Sequence, residues 1–210
     1  MELKAILSRG YNRSITYPQY VELVTDLAAH GGTTGEQKED MINFTKLNAQ
    51  RSKRITKTVN LEESTIQTIR SIGVPQTWLV VSESWCGDAA NSLPVLAKMA
   101  DENDLINLRV VLRDEDTELI DTFLTSGGRS IPKLIALDAE HNVLFTWGPR
   151  PAEAQAIYDL WRNDPDHVPY SEFHITMQQW YNQNKGLAVQ EEITSLVKAD
   201  LNLSVQKKAV

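Results

Sequence analysis

Thr77-Trp78-Leu79-Val80-Val81-Ser82 runs directly into Glu83-Ser84-Trp85-Cys86-Gly87-Asp88-Ala89. The first six residues form a short β-rich run that fits a buried strand. A helix is expected from about Gly87 to Asp101, with Leu93, Leu96, Ala97 and Ala100 turned inward. Cys86 therefore stands where a strand turns into a helix. A thiol at a helix N-terminus faces unpaired backbone N–H groups and the positive end of the helix dipole, and both favour the reactive thiolate. Free cysteines are more often small buried hydrophobes. The polar flanks Ser82, Glu83, Ser84 and Asp88 argue for the reactive reading here.

Downstream, Ile106, Leu108, Val110 and Leu112 alternate as in a half-buried strand. Asp116 or Thr117 can cap a helix carrying Leu119, Ile120, Phe123 and Leu124, which Gly127-Gly128 ends. Lys133–Leu137 and Val143–Trp147 read as two strands around Asp138–Asn142, a hairpin signal. Pro151 fits the first position of a helix with Ala154, Ile157 and Trp161 inward. The order from residue 77 onward is βαβαββα.

Upstream, Tyr20, Leu23, Val24 and Leu27 share one helical face, and Gly31-Gly32 stops that helix. Met41, Phe44, Leu47, Arg51 and Ile55 suggest a second helix after Gly35. The cations Arg51, Lys53, Arg54 and Lys57 in its late turns complement the helix dipole, a better reading than a phosphate patch. Asn60 and Glu63 look like a capping box before the stripe Ile66, Ile69 and Ile72, which ends at Gly73. At the other end, Ser171 can cap a helix with Phe173, Met177, Trp180 and Tyr181, stopped by Gly186. Val189, Ile193, Leu196 and Val197 follow as a last amphipathic helix, with a frayed tail at Lys207–Val210. The aromatic and methionine stripes read as packing surface. The expected organisation is a helical extension over 1–59, a central α/β domain over 60–163 and a second helical extension over 164–210.

Composition bounds the function. Of 210 residues, 41% are hydrophobic and 23% charged, enough for a packed core. The 21 basic against 28 acidic residues leave a net charge of −7, which argues against nucleic-acid or anionic-membrane binding. The longest apolar run, Trp78–Val81, is far short of a membrane span, and the first ten residues carry no signal-peptide h-region. A cytoplasmic location is expected. With Cys86 as the one cysteine, no internal disulfide and no two-cysteine redox cycle can form. His30, His141, His167 and His174 lack metal-ligand spacing, and no metal or cofactor is expected.

Trp85-Cys86-Gly87-Asp88-Ala89 after an apolar strand resembles the thioredoxin active-site turn, Trp-Cys-Gly-Pro-Cys. Pro94, eight residues beyond Cys86, matches the kink proline of that family's active-site helix. Gly128-Arg129-Ser130-Ile131-Pro132-Lys133-Leu134 is similar to its cis-proline segment, and Gly148 fits the glycine that closes the last strand. The resemblance covers roughly Asn60 to Arg162, and the whole chain looks most like bacterial thioredoxin-like proteins with this turn and helical extensions. It implies a four-stranded mixed sheet flanked by helices, a cis bond before Pro132, and Ile131 and Pro132 as the substrate platform beside Cys86. Three departures matter. Ala89 replaces the resolving cysteine, Asp88 replaces the turn proline, and Val80 replaces a buried acid. Dithiol reduction therefore does not carry over.

What remains is a monothiol site built from Cys86, Trp85, Asp88 and Arg129. It would attack disulfides of proteins, or mixed disulfides with small thiols, and would need an external thiol for release. The Asp88 carboxylate disfavours a nearby thiolate, and Arg129 is placed to pair with Asp88 or Cys86. Arg113 and Arg150 read slightly better as solvated surface charges. The alternative is a redox-silent binding module holding an extended peptide or partner at the Pro132 surface, with the extensions forming a partner or dimer face. A peroxidase fits poorly, because Glu83 stands where a Thr or Ser would orient a peroxide. If the protein is an enzyme, the extensions should leave the Cys86 face open. Cys86 itself should be the first or second helical residue and partly exposed.

Overall fold

A computed structural model describes residues 3–208. Strands β1 (Ile15–Thr16), β2 (Gln76–Ser82), β3 (Ile106–Leu112), β4 (Lys133–Leu137) and β5 (Val143–Trp147) form one mixed sheet. Their spatial order is β1-β3-β2-β4-β5. β2 runs parallel to β3 and antiparallel to β4. Trp78, Leu79, Val80 and Val81 are all fully buried, which is why β2 reads as a continuous apolar run. β3 borders β1 at the sheet margin; the alternation expected of it breaks at Val110 and Val111, which are both buried.

The sheet has five strands, where four were expected. The extra one, β1, pairs antiparallel with β3, Ile15 opposite Val110 and Thr16 opposite Arg109. Two residues carry no readable alternation. Arg109 pins the strand from the side, donating from Nε to Ser14 Oγ at 3.0 Å and from Nη2 to the Ser14 carbonyl.

Helices α1 (Leu3–Arg13), α2 (Tyr17–His30), α3 (Glu39–Thr58) and α4 (Glu63–Arg70) precede β2. α1 was not anticipated; it buries Ile6, Leu7 and Gly10, and a side chain at Gly10 would strike Leu119. α2 begins with a capping box, Thr16 accepting from the Gln19 N–H while the Gln19 side chain accepts from Thr16 N–H. α5 (Gly87–Ala100) and α6 (Thr117–Thr122) follow β2 and β3, and α7 (Ala152–Asn163) follows β5. Asp116 caps α6 by accepting from Leu119 N–H.

Two expected caps are corrected. α4 starts from Glu62 without a side-chain cap. Gln190 does the work instead, accepting the Glu62 N–H at 2.8 Å and donating to the Asn60 carbonyl at 3.1 Å. A long-range amide thus replaces the local capping box. α8 (Tyr170–Asn184) starts before Ser171, because Pro169 already holds the extended conformation of a helix N-cap and its carbonyl accepts from Glu172 and Phe173. Pro151 is likewise the N-cap of α7 rather than its first residue.

The last helix, α9 (Leu187–Lys208), sends Val189, Ile193 and Val197 into the main core. Lys207 and Lys208 continue the helix, and Ala209 and Val210 lie outside the described residues. A second, smaller apolar cluster joins Ala154 of α7 to Phe173, Met177 and Tyr181 of α8. Trp161 and Phe173 stack there with centroids 4.3 Å apart. Among the described residues, no helix is long and apolar enough to cross a membrane.

Candidate functional site

The loop from Ser82 to Cys86 is fixed by hydroxyl groups from the N-terminal extension. Ser84 Oγ lies 2.8 Å from Thr45 Oγ1 and 3.1 Å from Thr34 Oγ1, and accepts from Thr34 N–H at 3.0 Å. Thr34 Oγ1 accepts in turn from Ser84 N–H at 2.9 Å, and Asn48 Nδ2 donates to the Ser84 carbonyl at 3.0 Å. Ser82, Glu83 and Ser84 are all buried, so the polar residues leading into Cys86 are internal, not solvated, and Ser84 finds its partners in this network. This also explains α3. Its inward positions are Thr45 and Asn48, while Leu47 of the expected apolar stripe is exposed. In the sequence, Gly31–Gly35 reads only as a helix stop; nothing local shows that Thr33 and Thr34 reach across to residue 84.

Cys86 is the N-cap of α5, one position before the first helical residue. Its sulfur accepts from Ala89 N–H at 3.4 Å and donates to the Ile131 carbonyl at 3.2 Å. The Ile131–Pro132 peptide bond is cis, as is Gly148–Pro149. Contrary to expectation, Cys86 is only 7% exposed. Burial, followed by the Asp88 carboxylate, pushes its thiol up from about 9 to about 12; the Ala89 N–H and the Arg150 guanidinium work weakly the other way. Desolvation outweighs the helix terminus and decides a sign that sequence position alone leaves open. Gly148 supports the same platform. Its φ is +106°, and a Cβ there would lie 2.2 Å from the Pro132 carbonyl oxygen.

The arginines are reassigned. Arg129 pairs with Asp121, Nε to Oδ1 and Nη2 to Oδ2 both at 2.6 Å, so it reaches neither Asp88 nor Cys86. Asp121 sits on α6, eight residues earlier and closer to hand. Asp88 is instead held by Arg150, whose Nη2 and Nε donate to Oδ2 at 2.5 and 3.0 Å. Tyr181 donates its hydroxyl to the other oxygen, Oδ1, at 2.8 Å. The Arg150 and Asp88 side chains are 12% and 13% exposed, so this is no solvated surface pair. Arg113 lies over the Trp85 ring, 4.8 Å from its centroid, and pairs with Asp114. Arg51 donates to Asn48 Oδ1 at 3.0 Å and makes no ion pair among the described residues; burial lowers its pKa. Among the described residues, the buried Trp85 indole N–H has no hydrogen-bond partner.

Cys86, Trp85, Asp88 and Ile131 line one cleft of about 240 Å³. Arg129 borders it with its guanidinium already engaged, and Pro132 is buried behind Ile131. The roof is α8, through Phe173, His174, Met177, Gln178 and Tyr181. Gln178 and Asn91 exchange amide hydrogen bonds at 3.1 and 3.2 Å, and Arg54 donates to Asn182 at 2.6 Å. The C-terminal extension thus covers the Cys86 face, which was expected to stay open only if the protein is an enzyme. The spacing of Phe173, Met177 and Tyr181 showed an inward stripe but not what it faces. Among the described residues, no group of three or more His, Cys, Asp or Glu is placed to hold a metal ion.

The Thioredoxin_9 family model, described as thioredoxin, matches residues 34–162. No curated protein matches the chain. Among solved structures, it is similar to an HIV epitope-scaffold at 18% identity, covering 88% of this chain and 99% of that one with a TM-score of 0.53. A protein of unknown function from Pseudomonas aeruginosa aligns at 17% identity over 88% and 98% of the two chains, with a TM-score of 0.54. At these identities the two structures speak for the fold alone. The family match begins at Thr34, within the hydroxyl network that positions the Cys86 loop, and it spans more than half the sequence: the chain belongs to the thioredoxin family.

Proposed function

We propose that the protein is a gated monothiol oxidoreductase for small disulfides and for mixed disulfides of small thiols. The observation that carries this reading is Cys86 at the floor of a roofed cleft of about 240 Å³. That volume lies below the roughly 300–1,000 Å³ of drug-sized pockets, too tight for an extended protein segment. Small thiols of metabolism carry carboxylates. Arg51, without an ion-pair partner, and the unpaired Trp85 N–H are the groups free to receive one.

In the reaction, the Cys86 sulfur bonds to one sulfur of the small disulfide and the original S–S bond breaks. The departing half leaves as a thiol carrying the proton from Cys86. An external thiol then attacks the adduct, releases the bound half as a new disulfide and returns Cys86 to its thiol form. Ala89 cannot supply an internal resolving sulfur. With α8 in place the thiol stays protonated. Because burial is the main cause of its raised pKa, lifting α8 hydrates the sulfur and lowers that pKa. The roof belongs mainly to the smaller apolar cluster with α7, so it can move without opening the main core.

The raised pKa favours a second reading, a redox-silent module that holds a small anionic ligand in the same cleft. A thiol at about 12 is thiolate in only about one molecule in 10⁵ at pH 7. Intact-mass measurement after incubation with cystine, a carboxylate-bearing disulfide small enough for a cleft of this size, separates the two. The oxidoreductase takes up one adduct, loses it to added free thiol and leaves insulin disulfides intact. A folded protein that binds the disulfide but forms no adduct is the silent module.

A further inference from the structure

A second cavity, of about 650 Å³, opens between α2 and α3 and borders Cys86 from the side of Ala90 and Leu93. Its wall is mostly apolar, with Tyr20, Val24, Ala49, Ala90 and Leu93 outweighing Asn48, Ser52 and Thr56. Its rim carries Lys46, Lys53 and Lys57. Among the described residues none of these lysines makes an ion pair, and α3 carries no acidic residue after Asp40. Glu22 and Asp26 on α2 do not line the cavity. Lys53 and Lys57 are one helical turn apart, so their ammonium groups repel each other, and an anion seated between them relieves that repulsion. This is a concentrated positive edge on a chain of net charge −7.

We infer that this cavity binds a monomeric fatty carboxylate, with its alkyl chain along the apolar wall toward Cys86 and its carboxylate between Lys53 and Lys57. The volume falls within the range of small-molecule sites. An apolar slot with a cationic mouth matches both ends of an anionic amphiphile, whereas a purely apolar partner would leave the lysine pair unanswered. The net acidity of the chain disfavours an anionic bilayer as the source. The inference stands on residues outside the thiol cleft, apart from Cys86 at its inner end, and does not depend on redox chemistry.

The test is calorimetric titration of the full chain with octanoate, decanoate and dodecanoate below their micellar concentrations. Each buried CH₂ strengthens binding about fourfold, so each two-carbon step should tighten it about fifteenfold. The matching alcohols should bind about tenfold more weakly than the carboxylates. In the double variant Lys53→Gln and Lys57→Gln, on exposed positions, that difference should disappear while the chain-length series persists. Ala49→Phe, checked for folding by circular dichroism, should abolish both. No binding, affinity independent of chain length, equal binding of carboxylate and alcohol by the wild type, or binding seen only with anionic phospholipid vesicles would each overturn the inference.

Discussion

Tyr181, on the roof helix α8, donates its hydroxyl to Asp88, two residues beyond the thiol on α5, at 2.8 Å. A hydrogen bond to a charged group contributes about 1.5–3 kcal/mol. Tyr181→Phe keeps the ring in its apolar cluster and removes only that bond. Opening of α8 should become about ten- to a hundredfold more frequent. Hydrogen exchange checks this: amides of α8 should exchange faster, while those of α9, packed on the main core, stay unchanged.

Asp88→Asn tests the electrostatics around the thiol. The substitution removes a carboxylate that raises the Cys86 pKa and frees the Arg150 guanidinium, which lowers it, so both changes favour the thiolate. Cys86 should react at lower pH than in the wild type, about threefold faster at neutral pH for each unit of lowered pKa, because a weaker nucleophile partly offsets the roughly tenfold gain in thiolate. Arg150→Met should act in the opposite direction. Iodoacetamide rates against pH provide the measurement.

Alkaline stability follows from the same thiol. In the unfolded chain it ionises near 9, whereas in the folded protein it holds its proton to about 12. Between these values the unfolded state releases a proton that the folded state keeps, so stability is intact below pH 9 and falls as pH rises above it. The slope from Cys86 is at most about 1.4 kcal/mol per pH unit. Urea melts at pH 8 and pH 10 should show that loss in the wild type and a smaller one in Cys86→Ser.

Gly148→Ala places a methyl group 2.2 Å from the Pro132 carbonyl oxygen at a φ of +106°. Backbone strain and overpacking together should cost about 2–5 kcal/mol. The midpoint of thermal unfolding should fall sharply. Gly127→Ala, also at positive φ but with nothing within 4 Å of the added carbon, should cost less.

The central fold was legible because each of its strands is long enough to show a pattern. Val80 and its neighbours read as a buried strand, and Ile106 to Leu112 alternated. The turn from Trp85 to Ala89 and the segment around Pro132 located the cleft. What stayed hidden depends on long-range partners. β1 is too short for a period, and the cap of α4 comes from Gln190, 128 residues after Glu62. Asp88 chose Arg150, 62 residues away, and Arg129 chose Asp121 on its own side of the cleft. The stripe of Phe173, Met177 and Tyr181 showed an inward face but not that the face covers a thiol. Nor could the position of Cys86 at a helix terminus reveal its burial, which decides its pKa.

The decisive measurement is the alkylation rate of Cys86 at pH 7.5 in the wild type and in Tyr181→Phe, read by intact mass. A small reagent, iodoacetamide, is compared with a bulky maleimide. A gated thiol should react slowly with both reagents in the wild type. In the variant both rates should rise about ten- to a hundredfold, in step with the increased opening of α8. Rapid alkylation of the wild type by the bulky reagent, or rates that Tyr181→Phe leaves unchanged while α8 exchange accelerates, would contradict the gate.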